Sequence, residues 1–418
     1  MSGSPEKLLE ERRKRFLDAY AMQVPDRVPI MLNFSYMLAR LGGVTKQELH
    51  ENPDKAQELL EKWALYYQPD AAFGLVGFGG PEPSRILNDR QNKWPGYGLG
   101  PNEPFQFVED EHMKVEEYDE FIEDPTDFTL RKFLPRIYGA LEGFTSLPAL
   151  TSMLGGYVAL GNLTVLNAPP VRSALDALFK TAEWYSRIMP KMAEYARRME
   201  TLGFPSDVLM FGVTALAPFD LLGDTLRGMR GIFFDMYRCP DKLLAAEEKI
   251  RRFTVKDVLQ TARMTGLKFV FIPLHRGSDG FMSLEQFETF YWPQLKAMML
   301  EIIDAGLKPC PFYEGVWDQR LEYLRELPMG KTAGMFQNSN MFKVKEVLGD
   351  VMTIIGGFPV SLLEGGTPEE VREHTRKMCK VLGKNGGFIM STSTVMDECD
   401  PELVKVWVDA TKEYGTDV

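Results

Sequence analysis

The chain has 418 residues, 44% of them hydrophobic and 11% aromatic, enough to bury a large core and to exclude global disorder. Acidic side chains outnumber basic ones 59 to 48, for a net charge of −11, and no dense Lys/Arg block follows "EERRKRF", so nucleic acid is excluded as a partner. The four scattered cysteines form no CxxC pair and the charged start "MSGSPEKLLEERRKRF" has no apolar core, which argues against disulfides, a zinc knuckle and a secretory signal; a cytoplasmic protein is expected.

Short apolar runs alternate with amphipathic helical patterns, as α/β folds require. The first strands are expected at 27–32 ("RVPIML") and 71–77 ("AAFGLVG"). The interval from about 80 to 205 breaks this alternation. It opens on Gly-, Pro- and Asn-rich loop chemistry, continues in helical segments, and reads as an excursion after the second strand that covers a barrel mouth. Within it, Gly143 to Val171 carries no charged residue. Its prolines, glycines and Ser/Thr/Asn side chains make a poor membrane span, so it reads as a pocket cover or as the subunit contact of a homodimer. Strands resume at 207–213, 268–274, 307–314, 331–337, 351–357 and 386–392. That makes eight, which predicts a (β/α)8 TIM barrel, one domain over 1–418. Between them, Ser283 and Gly306 bracket one helix as caps, and Thr367, Pro368 and Gly383 bracket another.

In a parallel barrel the carboxyl ends of the strands converge on one pocket. The residues expected there are largely aromatic or neutral, and Asn33, Tyr36, Phe78, Phe312, Tyr313, Gln337 and Ser393 are the candidate contacts to a small-molecule substrate. His275, Arg276 and Glu314 are the charged exceptions, with Asp279 close behind, and the first three are the candidate catalytic residues. His275, in "LHRGSDGFMS", offers a general acid/base near neutrality or a metal ligand; its structural alternative is a bond to a backbone carbonyl. Glu314 ends the apolar "PCPFY", where a carboxylate must be paired or hold a cation. An ion pair with Arg276 or Arg320 is its structural alternative. Together His275 and Glu314 supply two ligands of an open zinc site. Gly277 and Gly280 are expected to free the turn and let a ligand approach its backbone. Cys310 lies deeper, where a buried thiol packs.

The stretches "RVPIML…LARLGGVTKQELHENPDKAQELLEKWALYYQPDAAF", "SLEQFETFYWPQLKAMMLEIIDAGLKPCPFYEG" and "VKEVLGDVMTIIGGFPVSLLEGGTPEEVREHTRKMCKVLGKNGGFIMST" resemble the uroporphyrinogen decarboxylase superfamily. The resemblance implies a (β/α)8 barrel. It also implies one of two chemistries, porphyrinogen decarboxylation or zinc-dependent methyl transfer among small molecules, thiols and corrinoid proteins. The decarboxylases' arginine-rich stretch after the first strand is "NFSYMLAR" here, and their aspartate after the second is matched by "GFGG". The thiol-methylating branch's His-x-Cys and last cysteine fall on Phe312, Glu314 and Ser393 or Thr394. The expectation is therefore a methyltransferase that moves a methyl group from a small, methoxylated aromatic donor to a corrinoid protein, with zinc as the expected metal. A decarboxylase or lyase for a small apolar acid held by Arg276, and a non-catalytic barrel for a hydrophobic ligand or corrinoid, are the alternatives.

Overall fold

The apolar runs of the sequence settle as short parallel strands, β1 (Met31–Phe34), β2 (Ala71–Gly74), β3 (Val213–Thr214), β4 (Phe269–Leu274), β5 (Lys308–Tyr313), β6 (Ala333–Phe336), β7 (Thr353–Gly356) and β8 (Phe388–Ile389). The structure, a computed structural model, describes residues 3–74 and 79–416. Strands β3 to β8 form one sheet in sequence order, and β1 pairs with β2. Beyond β8, Met390 exchanges backbone hydrogen bonds with Met31 (2.9 Å) and Pro29 (2.8 Å), which ties the last strand to the first. Between β2 and β3 no ladder forms among the described residues; the rings of Phe73 and Phe211 meet there at 4.5 Å instead. The strand expected over 207–213 accordingly keeps only Val213 of its run and adds Thr214. The architecture is the expected (β/α)8 TIM barrel.

Alternation along the strands sorts core from cavity. In β4 the outward Val270, Ile272 and Leu274 are fully buried under helices, whereas the inward Phe269, Phe271 and Pro273 are only half-buried. That inversion marks a barrel whose interior is open at one end. Two prolines shape β5. Pro309 and Pro311 lie on one edge and both lack a ladder donor, so pairing with β6 shrinks to Phe312–Met335 and Tyr313–Phe336 while pairing with β4 runs over six positions.

The amino-terminal face is plugged by helix α1 (Pro5–Tyr20), capped by Ser4. Its Phe16, Ala19 and Tyr20 join Met31, Cys310 and Ile355 in the interior cluster, so Cys310 packs at the floor. Tyr20 donates to the carbonyl of Val208 (2.9 Å) and lies 4.7 Å from the Phe269 ring. The outer helices start where the sequence signals them. Ser283 and Thr367 each form a reciprocal capping box, with Gln286 and Glu370.

The excursion after β2 holds a small three-stranded sheet, several short helices and the long helix α2 (Pro169–Thr201). It has a satellite core of its own, including Leu141, Phe144 and Ala174. The uncharged stretch does not act as a pocket cover. Residues 150–153 and 156–167 are 3-10 helical, and Leu154 and Tyr157 are 86% and 87% exposed. Among the described residues no helix is long and apolar enough to cross a membrane.

Candidate functional site

At the carboxyl end of the strands a cavity of about 320 Å³ opens into the barrel. Four phenylalanines, Phe73, Phe211, Phe271 and Phe312, wall it with Pro273 and Met335. Polar atoms come from Asn33, Thr214, Glu314 and Thr394. The Asn33 Oδ1 is buried without a protein partner, so this amide is available to a ligand.

Glu314 connects the chamber to a charged relay on the rim. Its Oε1 lies 3.5 Å from Nε2 of His275, and the other ring nitrogen, Nδ1, is 2.5 Å from Oδ2 of Asp224. Burial by itself would lower the His275 pKa, but the bonds to Asp224 and Glu314 and the charge of Asp220 override it and raise it to about 10. The ring is therefore an imidazolium at neutral pH, held between two carboxylates. The Asp224 Oδ1 accepts from Arg276 Nε (2.7 Å), and Glu109, from the excursion, takes Arg276 Nη2 (2.5 Å). Arg276 thus gives two of its three guanidinium nitrogens to protein carboxylates. Neither Arg276 nor Arg320 pairs with Glu314; Arg320 binds Asp279 (3.1 Å) and the carbonyl of Gly277 (3.2 Å).

The turn that presents His275 is fastened from below. Asp220, wholly buried, accepts the backbone N–H groups of His275 (3.1 Å) and Arg276 (2.9 Å) and the Tyr291 hydroxyl (2.7 Å). Burial and the neighbouring Asp224 push its carboxyl up to about 6. Behind it, Glu247 is fully buried with neither oxygen hydrogen-bonded, and burial followed by the Asp220 charge raises its pKa well above the usual range. Gly277 gives no access to a ligand: a Cβ there would sit 2.5 Å from the rings of Trp317 and Tyr291. Gly280 does face open space.

The other expected contacts separate. Asn33 and Phe312 line the cavity. Tyr313 faces the opposite side of β5, wholly buried and stacked on Phe336 at 4.6 Å, because consecutive strand residues cannot share a face. Tyr36 lies off the cavity with its hydroxyl 2.9 Å from His50 Nε2. Gln337 spends its Oε1 on the Gly315 amide (2.7 Å), and Ser393 is buried in a backbone bond to Phe358 while Thr394 and Val395 take the wall position. Phe78 lies outside the described residues. Sequence reasoning passed over Asp220 and Asp224. Their signal was present in "PFDLLGD": two acids four apart on one helical turn repel unless both are paired.

A catalytic zinc site takes three protein donors and an open position. His275 and Glu314 bring two, and among the described residues no group of three or more His, Cys, Asp or Glu is arranged to hold a metal. The donor set falls short of a zinc site.

Fold and site together define a (β/α)8-barrel protein with an apolar chamber and a carboxylate–imidazolium–carboxylate relay on its rim. The chain belongs to the uroporphyrinogen decarboxylase (URO-D) family, whose pattern it matches over residues 159–414, more than half of its length. It is also similar to a solved structure, a methyltransferase from Methanosarcina mazei, with a TM-score of 0.59 at 13% identity over 96% of this chain and 98% of that one. At that identity the likeness is one of fold. No curated protein matches the sequence.

Proposed function

We propose that the protein is a methyltransferase that takes the methyl group of a small methoxylated aromatic compound and delivers it to a corrinoid protein. The observation that carries this reading is the His275–Glu314 pair at the lip of a phenylalanine-walled chamber. The methyltransferase fold likeness supports it. A flat ring fits the apolar walls, and a ring substituent that donates a hydrogen bond fits the Asn33 amide.

In this reading the partner's corrinoid cobalt supplies the nucleophile that accepts the methyl group. The methyl C–O bond breaks, its electron pair stays on oxygen, and the leaving phenolate needs a proton. His275 holds that proton at Nε2, and Glu314 passes it to the oxygen in the chamber. An ionised phenol and the His275 imidazolium both titrate near about 10, the matching that favours transfer. Asp224 keeps the ring oriented and charged throughout. The decarboxylase alternative is less well supported, because Arg276 already gives its Nε to Asp224 and its Nη2 to Glu109.

The test mixes the protein with reduced cobalamin and a panel of methoxylated phenols. Formation of methylcobalamin together with the free phenol is expected. Release of carbon dioxide from an aromatic acid, with no methylcobalamin from any donor, would overturn the reading.

A further inference from the structure

Helix α3 (Gly228–Arg238) stands beside the relay and turns one face outward. Its inner side is fastened to the site. Ile232 is fully buried over Gly223, next to Asp224, and Phe233 stacks at 5.0 Å on Phe281, whose ring also carries the Arg276 guanidinium at 5.0 Å. The Met229 N–H donates to Glu109 (2.5 Å), the same carboxylate that holds Arg276. The outer side is apolar and cationic. Met229, Phe234 and Tyr237 are 43%, 42% and 76% exposed, and the guanidiniums of Arg230 and Arg238 lie 5.7 and 4.3 Å from the centre of the Phe234 ring. Nearby arginines are neutralised, Arg227 by Asp235 and Glu111, Arg276 by Asp224 and Glu109, and Arg320 by Asp279. Among the described residues, Arg230 and Arg238 pair with no carboxylate.

We infer that this face of α3 docks the protein that carries the methyl acceptor, through an acidic patch on that partner; the inference rests on the methyl-transfer reading. The methyl group leaves from the lip where Glu314 meets the chamber, so an acceptor bound to a protein must be held over that lip. The rim beside the relay offers its unpaired cations on α3. Two guanidiniums stacked on one ring are ready for bidentate bonds to carboxylates, because the ring fixes their planes and leaves their N–H edges free. Tyr237 accepts from Gln286 (3.0 Å), which fixes its ring and leaves its own O–H to donate. Aromatic side chains beside arginine are also the composition that interface hot spots favour. Charge then selects the partner's chemistry. A chain of net charge −11 repels an acidic protein over most of its surface, so a local pair of free arginines sets where it lands and in which orientation. Nucleic acid or an anionic membrane needs a dense basic surface, and two cations are too few for either.

The experiment follows methyl transfer to two acceptors, free reduced cobalamin and the corrinoid protein isolated by its visible corrin absorbance from the cells that make this chain. Each is offered to the unmodified chain and to Arg230→Glu/Arg238→Glu. Free cobalamin needs no docking, so its methylation is expected to be equal in the two. For the corrinoid protein, KM is expected to rise on the order of tenfold or more in the variant. The increase of KM with sodium chloride expected of the unmodified chain should vanish there too. Arg230→Lys/Arg238→Lys keeps the charge and loses the planar forks, so its KM should fall between them. That variant also decides the matter should the glutamate variant misfold by circular dichroism. An unchanged KM for the corrinoid protein in both variants overturns the docking face and leaves methyl transfer standing, as does activity on free cobalamin that no corrinoid protein shares. No methylation of free cobalamin by the unmodified chain overturns the methyl-transfer reading itself. Binding of the unmodified chain to phosphatidylserine vesicles, lost in the glutamate variant, would assign the face to a membrane instead.

Discussion

Nε2 of His275 points at the Glu314 carboxylate one strand further on, 3.5 Å away. The Nδ1 bond to Asp224, this contact with Glu314 and the Asp220 charge together raise the imidazole from 6.5 to about 10 against its burial, so folding binds its proton more tightly than the unfolded chain does. The sign follows directly. The stabilisation is fully present below pH 6.5 and is lost as pH rises to about 10. Thermal midpoints measured across that window are expected to fall with pH, and the slope to flatten in His275→Asn. Parallel slopes in the two proteins would disprove the assignment.

Glu314 is the group that touches both relay and chamber, so Glu314→Gln separates catalysis from packing. The amide keeps the shape and loses the proton transfer, and turnover is expected to drop roughly 10²–10⁴-fold. The thermal midpoint at neutral pH should fall only modestly, by the part of the His275 stabilisation that Glu314 supplies, since Asp224 still holds the ring. Steady-state rates and melting curves on one preparation decide it.

Asp220 is expected to be a stability residue as much as a site residue. Asp220→Ala strands two backbone N–H groups and the Tyr291 hydroxyl, a loss of about 3–5 kcal/mol. Tyr291→Phe removes only one of those bonds and should cost about 1–2 kcal/mol. Denaturant titration of both variants provides the comparison, and equal costs would mean the backbone bonds contribute nothing.

Gly277→Ala tests the packing behind the turn. The added methyl would meet Trp317 and Tyr291 at 2.5 Å, so roughly 1–3 kcal/mol of stability is expected to go. Gly280→Ala, which meets nothing within 4 Å, is the control and should melt as the unmodified chain does.

Asn33 is predicted to select donors with a second polar group. Asn33→Leu should raise KM on the order of tenfold for hydroxylated methoxyarenes and leave plain methoxyarenes nearly untouched, since only the former lose a hydrogen bond. Equal changes for both would show that Asn33 does not face the substrate.

The fold was legible because apolar runs, capping residues and glycine stops are local signals. "SLEQ" and "TPEE" declare their helices in four letters, and both form the capping boxes those letters encode. Asn33, Phe312 and Glu314 were placed correctly on the cavity for the same reason, since a strand end is a local feature. Tyr313 was misplaced by ignoring the alternation that a two-residue period imposes. Tyr36 and Gln337 went elsewhere because His50 and Gly315, distant in sequence, hold them.

The sequence by itself determined the order of strands and helices, the acidic balance and the identity of the two groups, His275 and Glu314, that face each other on the rim. Only tertiary structure decided what that pair became. Asp224 and Asp220 sit 51 and 55 residues before His275, and their contact with it depends on β3 lying beside β4. Once it does, two carboxylates share one low-dielectric corner with the ring, and that proximity, which no local pattern encodes, turns an ordinary histidine into a lasting imidazolium.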